Sequence, residues 1–206
     1  MDDLALHARR LWLLPPSCGP VRLVAVDGHA GSGKTTFAAR LAAALGGAPV
    51  LHLDDLATHG ELFAWTDRLR DQVLGPLSRG EPARYAPYDW TARRFGPVRA
   101  LDPAPVVLVE GVGVGRAAVR PFLAGLLWLE LDPERSWERG RRRDGPALSG
   151  FWDGWTVAER RHFAQDPSRP YADAVIRQVP EGYEWLKGAG ATAVTSRIVT
   201  EGEPEE

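Results

Sequence analysis

A single cysteine, Cys18, is all the thiol chemistry this chain has. It cannot close an internal disulfide, and no thiolate cluster is there to hold zinc. The five histidines stand at no spacing that would ligate a transition metal. No asparagine occurs anywhere, which removes the Asn-Lys-x-Asp element by which GTPase switches read guanine. No apolar run approaches the roughly 20 residues of a membrane span. The first residues mix Asp2, Asp3, Arg9 and Arg10 with short apolar stretches and do not read as a signal peptide. The expected location is cytoplasmic, with no membrane partner. With 25 basic against 27 acidic residues the net charge is −2, so the global positive field that attracts nucleic acid is missing. Nucleic acid is not an expected partner, small molecules are, and composition does not speak to oligomeric state. Internal repeats are absent as well.

What remains is a chain of 206 residues, enough for one α/β domain with a real core and too short for two ordinary domains and a linker. Its basic residues are nearly all arginine, the only lysines being Lys34 and Lys187. A compact ammonium inside an arginine-using chain points to a place where the larger planar fork does not fit, and Lys34 is the one of interest.

Leu4, Leu11 and Leu14 sit near helical spacing ahead of Pro15-Pro16, so residues 1–19 read as a leading helix and linker. Val21–Val26 is an apolar, β-branched run suited to a strand buried on both faces. A glycine-rich turn follows, and then a helix over Lys34–Leu45, with Phe37, Leu41 and Leu45 four apart and Gly46-Gly47 as its stop. The alternation continues with a strand at Val50–Leu53, a helix over Glu61–Leu77, and strands at Val106–Val109 and Leu126–Leu131. Helical signals return at Pro133–Arg143 and Thr156–Gln165, and Ala174–Ile176 is a short β-like run that can close the sheet. Arg84–Leu101 is rich in Tyr, Trp, Arg and Pro without helical period and reads as a hairpin or lid. Strands alternating with helices predict a parallel sheet covered on both faces, a three-layer α/β sandwich. The domain is expected over residues 20–187, with an insert at about 80–102 and a lid at about 133–150. The stretch 188–206 ends in Glu-Gly-Glu-Pro-Glu-Glu and is expected to fray as an acidic tail.

Gly28-His-Ala-Gly-Ser-Gly-Lys34-Thr35 matches Gly, four residues, Gly-Lys-Ser/Thr, placed directly after a strand and opening a helix. In such a loop Gly28, Gly31 and Gly33 let successive amides turn toward one anion, with Ser32, Thr35 and Thr36 at the helix N-terminus. Lys34 then reaches the β and γ phosphates and Thr35 holds magnesium, so ATP and Mg2+ are the expected cofactors. Glu110 ends a buried strand, where ligands sit in open α/β sheets, and is the second expected magnesium residue. Gly111, Gly113 and Gly115 read as a flexible turn, and Arg116 beyond them stays open between a phosphate contact and a surface position. Asp54-Asp55 closes the strand after the first helix. A carboxylate there can accept a hydroxyl proton during phosphoryl transfer, and spacing alone does not choose between the two. Arg139 and Arg143, four apart on one helical face, suit a clamp on phosphate oxygens. Tyr85, Tyr88, Asp89, Trp90, Arg93 and Arg94 supply aromatic faces, a carboxylate and cations for a planar hydroxylated or anionic acceptor, or for ordinary hairpin packing. Trp152 and Trp155 are assigned to packing.

Taken in order, Gly28–Thr35, Leu53-Asp54-Asp55, Tyr88-Asp89-Trp90, Val109-Glu110-Gly111, and Arg139 with Arg143-Asp144 resemble the uridine kinase-like branch of P-loop kinases, over about residues 20–176. The resemblance implies a P-loop NTPase fold with a five-stranded parallel core, a substrate-binding hairpin and an arginine lid. It implies Asp54 as catalytic base, Glu110 as magnesium-site acid, and Arg139 and Arg143 as lid arginines acting with Lys34. It implies Asp89 as a sugar-hydroxyl contact, with Asp55, Tyr88 and Arg93 beside it on the substrate side. Two family aromatic positions differ: Leu56-Ala57-Thr58 follows the aspartate pair, and Thr91-Ala92-Arg93-Arg94 stands where a histidine is usual. The implied activity is transfer of the γ-phosphate to a nucleoside, nucleotide or similar small polar acceptor. The alternative is an ATP-binding switch or ATPase, although Leu148-Ser149-Gly150-Phe151 does not complete the signature of a transporter ATPase.

Overall fold

The structure, a computed structural model, describes residues 3–199. Strands β1 (Arg22–Asp27), β2 (Val50–His52), β7 (Val106–Glu110), β8 (Gly125–Glu130) and β9 (Ala174–Val179) form where the apolar, β-branched runs lie. Between β2 and β7 come four short strands of the insert, β3 (Ala83–Tyr85), β4 (Tyr88–Asp89), β5 (Arg94–Phe95) and β6 (Arg99–Leu101). The central sheet has the order β9-β8-β1-β7-β2, all parallel. These are the five strands expected. A sixth, β10 (Gly182–Lys187), adds antiparallel to β9 and makes the sheet six-stranded. It returns through the two residues Pro180-Glu181, and Trp185 is the one buried residue along it, so its apolar signal was diluted by Glu184 and Lys187.

Period-two geometry divides the strand side chains between two cores. Val21, Leu23, Ala25, Val107 and Val109 face one side, and Val24, Val26, Val106 and Leu108 face the other. The second side is covered by α1 (Asp3–Trp12) and α2 (Lys34–Ala44), through Leu11, Phe37 and Leu41, none of them solvent-exposed. Each such side chain contributes about 1.5–3 kcal/mol relative to an exposed one. The first side is covered by a helical rod, α3 (Thr66–Leu69), a π turn over Arg70–Leu74, and α4 (Gly75–Ser78). The expected helix over Glu61–Leu77 therefore starts five residues late and is widened in the middle. Pro76 explains the widening: it has no amide to donate, and its ring would press on the carbonyl one regular turn back.

The insert is a hairpin, as expected, built from two short ladders, β3 with β6 and β4 with β5. Helices α5 (Pro133–Asp144) and α6 (Ser149–Gln165) sit over the carboxyl ends of the strands, joined by a 3-10 turn at Pro146–Leu148. The expected fraying from Gly188 needs correction up to Val199. Ile198 is fully buried against Leu11 and Leu14, and His7 bonds the Ile198 carbonyl at 2.6 Å. The Glu-Gly-Glu-Pro-Glu-Glu end lies outside the described residues. Chain order reverses at β1, whose neighbours β7 and β8 are reached by crossovers to opposite sides, which puts a crevice at its carboxyl end.

Candidate functional site

The crevice is occupied by the loop from β1 to α2. Gly31 and Gly33 have φ of 84° and 104°, a region open to glycine and strained for other residues. At Gly31 the need is steric too: a Cβ would stand 2.0 Å from the Ser136 carbonyl oxygen, so the loop is seated directly on α5. Lys34 is buried, and its ammonium donates to the His29 carbonyl at 3.0 Å, curling over the loop. Ser32 is buried as well, its hydroxyl without a hydrogen-bond partner.

Parallel pairing of β1 with β7 sets Val26 opposite Glu110, which carries the acid to the mouth of the loop. The Thr35 hydroxyl donates to Glu110 Oε1 at 3.0 Å, and the His52 Nδ1–H donates to the same oxygen at 2.6 Å. Burial alone would raise the Glu110 pKa. The His52 bond, the Lys34 ammonium and the Thr35 bond outweigh it and hold the carboxyl below its usual range. Asp54 sits in a one-turn 3-10 helix after β2 and lines the same crevice. Its pKa is raised, first by desolvation among the surrounding groups although the residue faces the open cleft, and then by Glu110; Lys34 and His52 pull the other way. Asp55 turns aside, 3.4 Å from the Tyr85 hydroxyl and 4.0 Å from the Arg99 guanidinium, so the adjacent carboxylates are separated by geometry.

The cleft measures about 710 Å³ and has linings of two kinds. One is polar, with Gly31, Gly33, Lys34, Thr35, Thr36, Glu110, Asp54, Arg139 and Arg143. The other is an aromatic wall of His59, Trp90, Phe151, Trp152 and Trp155. Phe151 links the wall, with ring centroids 5.9 Å from Trp90 and 5.8 Å from Trp155. The helix expected to be a lid contributes Arg139 and Arg143 to the cleft; Arg143 is bonded to Asp144 at 2.6 Å. A smaller hollow of about 250 Å³ opens beside Ser32, between Leu129, Glu130, Leu131, Arg139, Arg177 and Gln178.

Among the described residues there is no group of three or more His, Cys, Asp or Glu that could cage a metal alone. Magnesium does not require one, since it keeps several waters and takes few protein oxygens. Thr35 Oγ1 and Glu110 Oε1, 3.0 Å apart at the mouth of the loop, are the protein oxygens that would hold the ion.

Several sequence-predicted residues lie elsewhere than expected. None of Asp55, Tyr88, Asp89 and Arg93 lines the cleft. Asp89 caps its own turn, accepting from the Thr91 and Ala92 amides at 2.9 and 2.8 Å. The Tyr88 hydroxyl meets His59 Nδ1 at 3.1 Å behind the wall, and Arg93 is an exposed turn residue with φ 54°. Trp152 and Trp155, assigned to packing, face the cleft as well. The Gly111–Gly115 turn, expected to be flexible, is buried and tied to Asp27. Asp27, fully buried at the end of β1, accepts from the amides of Gly28, Gly113 and Gly115 at 2.7–2.8 Å. Arg116 is neither a phosphate contact nor a surface residue. It is buried over the Trp65 ring at 3.8 Å and donates to the Phe63 carbonyl and the Thr66 hydroxyl, and its desolvation lowers its pKa to about 10. Sequence reading also missed His52, Asp27 and Glu159. The first two carried a usable signal, an ionisable residue at the end of a strand entering the site.

No family model matches the chain, and no curated protein matches it. Among solved structures, a possible uridine kinase from Bacillus stearothermophilus shares 18% identity over 84% of this chain and 97% of its own, with a TM-score of 0.63. A candidate fructose transport system kinase from Silicibacter shares 20% over 80% of this chain and 89% of its own, with a TM-score of 0.49. The first likeness is one of fold: the chain shares the α/β architecture of that protein, a mostly parallel sheet with helices on both faces.

Proposed function

We propose that this chain is an ATP- and magnesium-dependent phosphotransferase that moves the γ-phosphate to the hydroxyl of a small polar acceptor with a planar head, a nucleoside or nucleotide. The carrying observation is that Lys34, Thr35, Glu110 and Asp54 line one cleft together with an aromatic wall. The phosphate loop and the N-terminus of α2 suit a triphosphate, with Thr35 and Glu110 holding magnesium, which neutralises phosphate charge when bound. The buried Ser32 hydroxyl and the hollow beside it suit the nucleoside half of ATP. An acceptor stacked on Trp90 and Phe151 presents its hydroxyl between Asp54 and the loop. Asp54, whose raised pKa suits a base, takes the hydroxyl proton as the new O–P bond forms and the bond to the β–γ bridging oxygen breaks. Lys34 exchanges the His29 carbonyl for the phosphates, and Arg139 and Arg143 meet the charge that develops on the transferred group.

The test is ADP release with nucleosides, nucleoside monophosphates, pantothenate and small sugars, using wild type, Lys34→Ala and Asp54→Asn. Acceptor-dependent release is expected, abolished in both variants, with ATP binding retained in Asp54→Asn. Silence across the whole panel would remove the kinase reading. Hydrolysis that needs no acceptor and rises with a protein partner would favour an ATP switch instead.

A further inference from the structure

Glu159 lies in the second half of α6 and has no solvent exposure. Its Oε1 accepts from His29 Nδ1–H at 2.7 Å and its Oε2 from the Trp155 indole at 2.6 Å; the Ala30 amide is 3.3–3.4 Å from both oxygens. Burial would push its pKa up, but the His29 bond, Lys34, and the Trp155 bond hold it below the usual range, so the buried group is ionised. A buried charge is costly unless paired, and here its partners belong to two different parts of the site. His29 and Ala30 are in the phosphate loop, and the His29 carbonyl is the group that receives the Lys34 ammonium. Trp155 belongs to the aromatic wall, packed on Phe151 and on Phe63. One carboxylate thus joins the wall to the loop residue that seats the lysine. An apolar side chain would pack α6 as well without fixing His29.

We propose that Glu159 is a positioning residue: it ties the aromatic wall to the phosphate loop and sets how tightly the loop holds nucleotide. The inference rests on the nucleotide site proposed above, though not on phosphate transfer.

The experiment is calorimetric titration of the full chain with the magnesium complex of a non-hydrolysable β,γ-imido ATP analogue. Glu159→Gln, close in shape but uncharged, is expected to weaken binding about tenfold. Trp155→Phe keeps an aromatic ring, loses the indole bond together with part of the ring packing on Phe63 and Phe151, and is expected to weaken binding severalfold. In the double variant the two losses should not multiply, because both act through one link. In 1H–15N spectra the Trp155 indole resonance, assigned by its loss in Trp155→Phe, should move on analogue addition in wild type and stay still in Glu159→Gln. A purely structural glutamate would not produce that difference. Analogue affinity within twofold of wild type in either folded variant, or multiplying losses, would overturn the proposal. If Glu159→Gln does not fold, Trp155→Phe with unchanged affinity overturns it alone. A wild type that binds no analogue overturns it together with the nucleotide site, whereas binding without phosphate transfer removes only the kinase reading.

Discussion

His52 and Glu110 meet through an Nδ1–H···Oε1 bond of 2.6 Å, formed because β2 and β7 run parallel with these two residues in register. The bond fixes one oxygen of the acid that also receives the Thr35 hydroxyl. An acid orients a metal only as well as its own supports orient it.

His52→Ala should therefore act on magnesium rather than on the fold. The His52 side chain is 43% exposed, so its removal leaves no buried cavity. The magnesium concentration that half-saturates ATP binding is expected to rise about tenfold, the scale usual for lost outer-shell support. Magnesium titrations at fixed ATP check this. An unchanged midpoint would mean that Glu110 is held well enough by Thr35 alone.

Asp27 is the counterpart of that argument in stability. Its two oxygens receive the amides of Gly28, Gly113 and Gly115 in a fully buried position. Asp27→Ala strands three amides at roughly 1–3 kcal/mol each, so a loss of at least about 3 kcal/mol is expected in urea unfolding. The phosphate loop begins at Gly28, so nucleotide affinity should fall with it. A variant as stable as wild type would show that the Gly111–Gly115 turn holds itself.

His162 gives a pH dependence with a definite sign. It is partly buried, stacked on Phe63 at 4.7 Å, and desolvation, with Arg116 adding to it, lowers its pKa to about 4. The unfolded chain takes up the proton near the ordinary value of about 6.5. Below that pH the unfolded state binds more protons, so stability falls as pH drops from 6.5 and the loss levels off below about 4. Between pH 7.5 and 5 the loss is expected to be about 2 kcal/mol. Urea unfolding of wild type and His162→Gln at both values isolates it, since the variant should lose less by that amount.

The legible part of this molecule was the part written in local pattern. The run Val106–Val109 and the spacing Gly28 to Thr35 each carry their own structural meaning, and both lie where expected. What was hidden depends on partners far along the chain. Glu159 touches His29 across 130 residues, and Asp27 touches Gly113 across 86, so the contacts that tie each of them to the site join distant parts of the sequence. β10 was hidden differently, as an edge strand with one buried residue. The Pro76 effect on the rod shows the opposite case, a local signal present in sequence and given too little weight.

The acceptor side is where resemblance and geometry part, and a pair of neighbouring substitutions separates them. Asp89 spends its carboxylate on the Thr91 and Ala92 amides, outside the cleft. Trp90 lines the cleft, with its indole donating to the Asp54 carbonyl at 3.1 Å and its ring 4.8 Å from His59. A stacking face of that kind is worth about 1–3 kcal/mol to a planar ligand, roughly five- to hundredfold in affinity. Trp90→Ala should raise the acceptor KM by about tenfold or more while leaving the ATP KM near its wild-type value. Asp89→Ala should loosen the hairpin turn by about 1 kcal/mol, the loss of a local cap, and change the acceptor KM by less than about threefold. Steady-state kinetics with the best acceptor from the panel decides between them. If Asp89→Ala carries the larger KM effect, the hairpin must rearrange to bring its carboxylate onto the acceptor, and the aromatic wall is packing after all.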